Sequence, residues 1–301
     1  MILITTPTGA IGSQVLRSLL DEAPARGEAL RVVVRDPAKL PEEVRGRVDV
    51  VTGSHGDAAV LDRALDGVEA VFWVVPPDPA AASLDEAYSG FTRPAAKAFA
   101  AHGVRRVVGV SSVGRGTPVA GRAGLVTASL AMDDLIAGSG VAYRALACAT
   151  FTDNLLRQAG PIRERGVFSD TVPADRPEAT VATADIAAAA VRLLLDREWS
   201  GTGEVPVLGP EELTADERAR ILSEVLGRAV RYEPVSLEDY AAGFAARGVP
   251  EAFATGMVDM MRARNEGLDA AVSRTDANVF VGGTTFREWC EGVLRGVVSG
   301  A

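Results

Sequence analysis

Lysine is almost missing from this chain of 301 residues: Lys39 and Lys97 are the two, among 31 basic side chains in all. Arginine carries the rest of the positive charge, and with abundant alanine and glycine this skew matches codon usage in a GC-rich genome. Cysteine is equally scarce. Cys148 and Cys290 fit no metal-ligand spacing and no disulfide framework, so both are expected as buried thiols that pack like small hydrophobes. Positive charge is in deficit, at a formal net charge of −9. That excludes nucleic acid as the main partner, because a phosphate backbone needs a basic surface. No apolar run is long enough to span a bilayer, and the N-terminus lacks a basic leader, so a cytoplasmic protein without a membrane partner is expected. Aromatic residues make up only 5%, and the small aliphatic residues in their place suit helices packed closely on a sheet.

What is present alternates between strand and helix patterns. Residues 1–5 form an apolar run that ends in a Pro/Gly turn, and Ile11, Val15, Leu16, Leu19 and Leu20 follow at helical spacing. Further β-branched runs lie at 30–34, 48–51, 70–75, 106–110 and 141–147, with helical patterns between them, the last at 125–137. Continuous apolar runs without alternation suit strands covered on both faces. The expected fold is α/β: a Rossmann, doubly wound parallel sheet with a smaller helix-rich C-terminal lobe. The core is predicted over 1–150, completed by about 178–209, and a substrate-binding lobe over 151–177 and 210–301. Thr214-x-x-Glu217 and Thr285-x-x-Glu288 read as capping boxes that open two helices of that lobe.

A dinucleotide's phosphates are expected at the first strand-to-helix turn, Thr6-Pro7-Thr8-Gly9-Ala10-Ile11-Gly12. Backbone N–H groups and a helix N-terminus converge there. Gly9 would let the backbone approach the pyrophosphate, and Gly12 would let helix and strand pack closely. At the end of the second strand an NAD site usually carries an acid for the ribose hydroxyls. Here the position holds Arg35, with Lys39 four residues on; two cations suit a 2′-phosphate and predict NADPH. Pro76 and Pro77 lie where the chain leaves the fourth strand beside the nucleotide.

These residues together resemble the NmrA-like atypical short-chain dehydrogenases. The loop 6–12 resembles their Gly-Ala-Thr-Gly-x-x-Gly, and Val34-Arg-Asp-Pro-Ala-Lys39 their NADP-selecting segment. The stretch 100–112 resembles their fifth strand with its lead-in helix, and Phe151-Thr-Asp-Asn154 their Phe-x-x-Asn. Two departures stand out. Thr6 replaces the loop's first glycine, compatible with binding if it holds a β-like φ. Ala147-Cys148 replaces an Arg-Pro pair.

The resemblance implies a reductase whose Ser111 or Ser112 holds the substrate oxygen, with Val113, Tyr88, Phe151 and Asn154 lining the substrate pocket. It also implies a Tyr-x-x-x-Lys acid in typical members of the superfamily. The helix at 125–137 has neither Tyr nor Lys, and none of the four tyrosines has a Lys four residues on. Three readings follow. The first is an NADPH-dependent ketoreductase acting on a polycyclic aromatic substrate that supplies its own phenolic proton, as in antibiotic biosynthesis. The second is a quinone or flavin reductase, and the third a non-catalytic NADP-binding redox sensor. Among the remaining side chains, Phe72 and Trp73 are expected in the core, His55 on the surface, Tyr88 as a possible substitute donor, and Asp133 and Asp134 on a solvated helix face. Oligomeric state stays open.

Overall fold

The computed structural model describes residues 1–270 and 272–300. Its main sheet contains β1 (Ile2–Thr5), β2 (Leu30–Val34), β3 (Asp49–Thr52), β4 (Ala70–Trp73), β5 (Arg106–Ser112), β6 (Ala142–Cys148), β10 (Thr202–Leu208) and β13 (Phe280–Val281). The strand order is β13-β10-β6-β5-β4-β1-β2-β3. Pairs β1–β2, β2–β3, β1–β4, β4–β5 and β10–β13 run parallel. From β1 the chain winds outward through β2 to β3, then returns to β4 on the other side of β1 and winds the opposite way. That reversal makes the β1/β4 boundary the topological switch point, where ligands of open α/β sheets bind.

Two compact units divide the chain. The first comprises residues 1–112, 128–147 and 186–205, and the second residues 113–127, 148–185 and 206–301. Segment 113–127, read from sequence as part of the core, groups with the second unit.

In the first unit, helices α1 (Gly12–Glu22), α2 (Glu42–Arg45), α3 (Ala58–Ala64), α4 (Phe91–Ala101), most of α5 (Leu125–Ala137) and most of α7 (Thr183–Leu195) accompany the strands. Strands β1 and β4 are buried at every residue, as their unbroken apolar sequences require. One face of the sheet packs Leu3, Val33, Val71, Trp73 and Val107 against Leu61, Phe99, Met132 and Ile136 from the helices. Phe72 and Trp73 are both fully buried, as expected.

The second unit is less purely helical than its sequence suggests. It holds α6 (Ala159–Arg165), α8 (Ala215–Leu226), α9 (Leu237–Ala246), α10 (Glu251–Asn265), α11 (Phe286–Trp289) and α12 (Arg295–Ser299). Beside them stand two small sheets. One is β11 (Glu212–Leu213), β9 (Glu178–Val181) and β7 (Thr150–Phe151); the other is β12 (Arg231–Pro234) with β8 (Val167–Asp170). These strands are two to four residues long, too short to leave a periodic signature. Phe168, Leu222, Tyr232, Phe286, Trp289 and Leu294 form this unit's own core. Among the described residues, no helix is long and apolar enough to cross a membrane.

Candidate functional site

The turn at 6–12 leaves β1 at the switch point and feeds α1. Thr5, fully buried, fixes its origin: its hydroxyl donates to the Phe72 carbonyl at 2.9 Å and accepts from the Val74 amide at 3.1 Å. The amide of Gly9 then turns back onto the Thr6 carbonyl at 2.9 Å. A Cβ at Gly12 would lie 2.2 Å from that same carbonyl, and one at Gly9 3.3 Å from it. Only glycine fits at 12, so helix and loop approach as a phosphate cradle requires. Thr8 and Ala10 are exposed at the crest, while Ile11 is buried as N-cap of α1. Thr6 does not hold the β-like φ expected of it. Its φ is +53°, the one positive value at a non-glycine among the described residues. Threonine thus adopts the left-handed backbone that the family's glycine would take without strain.

At the end of β2, Arg35 and Lys39 are both exposed, and neither makes an ion pair or side-chain hydrogen bond among the described residues. Asp36 lies between them but is occupied locally, accepting from the Ala38 amide at 3.0 Å. Two uncommitted cations and a cradle that admits no Cβ fit a dinucleotide carrying an extra phosphate. Pro76 is exposed just beyond β4.

His55 corrects the sequence reading. It is only 8% exposed, its Nε2 lies 2.9 Å from the Val74 carbonyl, and its ring sits edge-on to Trp73 and Phe91 at 5.1 and 4.8 Å. Burial, reinforced by the Arg35 charge, pushes its pKa down to about 4 despite the opposing Val74 bond. At neutral pH it is an uncharged packing element.

The end of β5 also departs from expectation. Ser111 is buried, and its hydroxyl donates inward to Asp133 and lies 3.2 Å from the Ser129 hydroxyl. The neighbouring Ser112, the other serine expected at this strand end, is half-buried. Asp133 is no solvated helix residue, at 2% exposed, while Asp134 is exposed. The second oxygen of Asp133 accepts from the Tyr143 hydroxyl at 2.6 Å. A Cβ at Gly109 on β5 would sit 2.3 Å from that hydroxyl, so glycine there admits the tyrosine. A signal for Asp133 was available: 125–137 is apolar on most of its sides, and such a helix is largely buried.

Tyr88 lies in a single wide helical turn, 86–90, and packs against the core of the first unit. Burial pushes its phenol up to about 12, which makes it a weak proton donor. In the second unit, the buried Val113 donates its amide to the Cys148 carbonyl at 3.1 Å. Phe151 and Asn154 line one cavity of about 70 Å³, together with Thr150, Thr180 and Arg218, which sequence reasoning did not single out. Both cysteines are buried, and neither is in a disulfide. A larger concavity of about 840 Å³ lies in the first unit, among the C-terminal residues of α1 and α7 and Glu28. Glu28 pairs with the N-terminus that leads into β1, so this groove opens at the edge of the sheet away from the strand C-termini.

A doubly wound sheet with this cradle at its switch point defines a dinucleotide-binding protein. The chain belongs to the NAD(P)H-binding family, whose model matches residues 7–197, and it shares its fold with an NmrA structure, at a TM-score of 0.71 and 14% identity over 97% of this chain and 95% of that one. It is 36% identical to a (4-alkanoyl-5-oxo-2,5-dihydrofuran-3-yl)methyl phosphate reductase of Streptomyces griseus, over 83% of this chain and 82% of that one. It is 32% identical to an NAD(P)H azoreductase of Xenophilus azovorans, over 86% of each. The structure of an NADPH-dependent quinone oxidoreductase from Escherichia coli, complexed with NADPH, superposes with a TM-score of 0.78. That alignment covers 96% of this chain and 98% of that one at 26% identity. The chain is an NAD(P)H-dependent reductase.

Proposed function

We propose that this reductase prefers NADPH and delivers hydride to conjugated, electron-poor acceptors, with quinones and phenolic polycyclic ketones as the substrate class. The observation that carries this reading is the content of α5. At i, i+4 spacing, that helix turns Ser129 and Asp133 toward β5, with no Tyr or Lys anywhere in it. The nearest phenol, Tyr143, is 2% exposed and donates to Asp133. NADPH supplies the hydride, and the protein has to manage the charge that arrives on oxygen.

Reducing an isolated ketone leaves an alkoxide, whose conjugate acid resembles water at roughly 15.7. Reducing a quinone or phenolic ketone leaves a phenolate-type oxygen, with a pKa near 10. The difference of about six units corresponds to roughly 8 kcal/mol of proton affinity. A phenolate-type product needs no strong acid in the site, only a donor such as Ser112 to hold the oxygen and access to water. The relatives support the class: a quinone, an azo compound and an unsaturated furanone are all conjugated acceptors. Arg35 and Lys39 support NADPH as the preferred reductant.

The test is NADPH oxidation by purified protein with menadione, a hydroxylated polycyclic ketone, its methyl ether and cyclohexanone. Turnover of menadione and the free phenol, a loss of about 10²-fold or more for the methyl ether, and none with cyclohexanone are expected. Efficient reduction of cyclohexanone would place an effective protein acid in the site and sink the reading.

A further inference from the structure

The small cavity of the second unit has an unusual balance of hydrogen-bonding groups. Strands β7 and β9 pair in parallel with Thr150 opposite Thr180, so both side chains share one face, and both line the cavity. Neither hydroxyl has a partner among the described residues, nor does the amide of exposed Asn154 on the same wall. Arg218 enters from α8 at 9% exposure. Its Nη2 reaches Glu178 at 3.2 Å, but its buried Nε has no partner.

The acceptors nearby are already occupied. Asp170 lines the cavity, yet its Oδ1 accepts from the Thr171 amide at 2.7 Å and its carboxylate faces Arg264 at 3.3–3.4 Å. Gln158 spends both amide atoms on the backbone of Ser169. Behind the wall, Glu178 is shared by Arg176, Arg218 and Arg264. Three guanidinium groups against two carboxylates leave one formal positive charge in a largely buried cluster. Such a cluster favours a counter-charge, and about 70 Å³ holds one oxyanion or several waters.

We propose that this cavity is an oxyanion subsite, taking a phosphate, sulfonate or carboxylate group carried by the acceptor. Arg218 Nε, Thr150, Thr180 and Asn154 are its donors. Assigning the anion to the acceptor rests on the reading of Phe151 and Asn154 as acceptor-binding residues in a reductase; the binding of an oxyanion does not.

The test uses protein saturated with NADPH, so that the Arg35/Lys39 site is filled, and titrates it calorimetrically with inorganic phosphate and with phenyl phosphate. Phenyl phosphate is expected to bind at one site, more tightly than phosphate. Binding should weaken about tenfold in Arg218→Met and in Thr180→Val, the second of which leaves every ion pair intact. No binding to folded wild type would overturn the subsite, and equal affinity for the two probes would overturn its assignment to the acceptor. In parallel, kcat/KM is compared for 1,4-naphthoquinone-2-sulfonate and 1,4-naphthoquinone. The ratio should fall about tenfold in both variants; an unchanged ratio with both quinones reduced would overturn the assignment of the anion to the acceptor while leaving the reductase. Phenyl phosphate binding without reduction of either quinone would keep the subsite and remove the proposed acceptor class.

Discussion

Two single residues at the nucleotide turn work against each other. Thr6 stands at φ +53°, a conformation that costs a β-branched residue roughly 1–2 kcal/mol. Its carbonyl is the atom that Gly12 approaches so closely. Replacing Gly12→Ala must push loop and helix apart, at about 1–3 kcal/mol of overpacking. NADPH affinity, read by titrating cofactor fluorescence, is expected to fall at least about tenfold, with the urea midpoint falling as well. His55 offers a pH test. Its folded pKa of about 4 lies below the ordinary 6.5, so the unfolded chain binds the extra proton. Its contribution to stability is complete above 6.5 and is lost as pH falls toward 4, by about 2–3 kcal/mol. His55→Gln should be less stable at neutral pH yet lose less on acidification. Parallel stability–pH curves for the two proteins would refute this account of the ring.

At the scale of elements, local sequence and structure agree best where a short-range rule applies. Both predicted capping boxes are present. The Thr214 hydroxyl accepts from the Glu217 amide at 3.1 Å, and the Thr285 hydroxyl from the Glu288 amide at 3.2 Å, with each glutamate returning to its own cap. Thr214→Ala and Thr285→Ala should each cost about 1 kcal/mol in denaturant unfolding, and the two should add, since they cap separate helices. Strand β5 and helix α5 show a different kind of agreement. The helix bounds follow from its apolar pattern, but the pattern does not say which way Asp133 faces. Packing against β5 and β6 brings Ser111 and Tyr143 to that carboxyl group, and their two hydroxyls then satisfy its buried oxygens in place of water. The same contacts turn the Ser111 hydroxyl toward α5.

At the scale of the whole molecule, cofactor and stability are linked. A ligand that binds only the native state stabilises it by RT ln(1 + [L]/Kd), about 2.7 kcal/mol at a hundredfold excess over Kd. NADPH is expected to raise the unfolding midpoint more than NADH at equal concentration, because only NADPH carries the 2′-phosphate that Arg35 and Lys39 are proposed to bind. Equal shifts in a thermal scan would show that these cations do not select the cofactor. Arg35→Ala should bring the two shifts together by lowering that of NADPH. The acidic balance of the chain, −9 overall, makes these two unpaired cations conspicuous, and it concentrates anion binding in places where charge is locally reversed. The cluster around Glu178 is a second such place.

The sequence by itself determined the Rossmann core, the glycine-bearing turn, the cation pair after the second strand and the lack of a Tyr-Lys acid. All of these are local: apolar runs, glycine spacing and residue types can be read without knowing what lies across the fold. Only the tertiary structure decided the orientation of side chains whose sequence environment is ambiguous. His55, Ser111 and Asp133 are polar residues beside polar neighbours, and their burial depends on rings and side-chain oxygens brought from 10 to 36 residues away by the fold. The cavity of the second unit is a stronger case. Thr150, Thr180 and Arg218 belong to two short strands and a helix with no shared motif, and they meet because β7 pairs with β9 in register. Long-range pairing of this kind leaves no periodic trace in sequence, so the donors that converge there become visible only once the chain is folded.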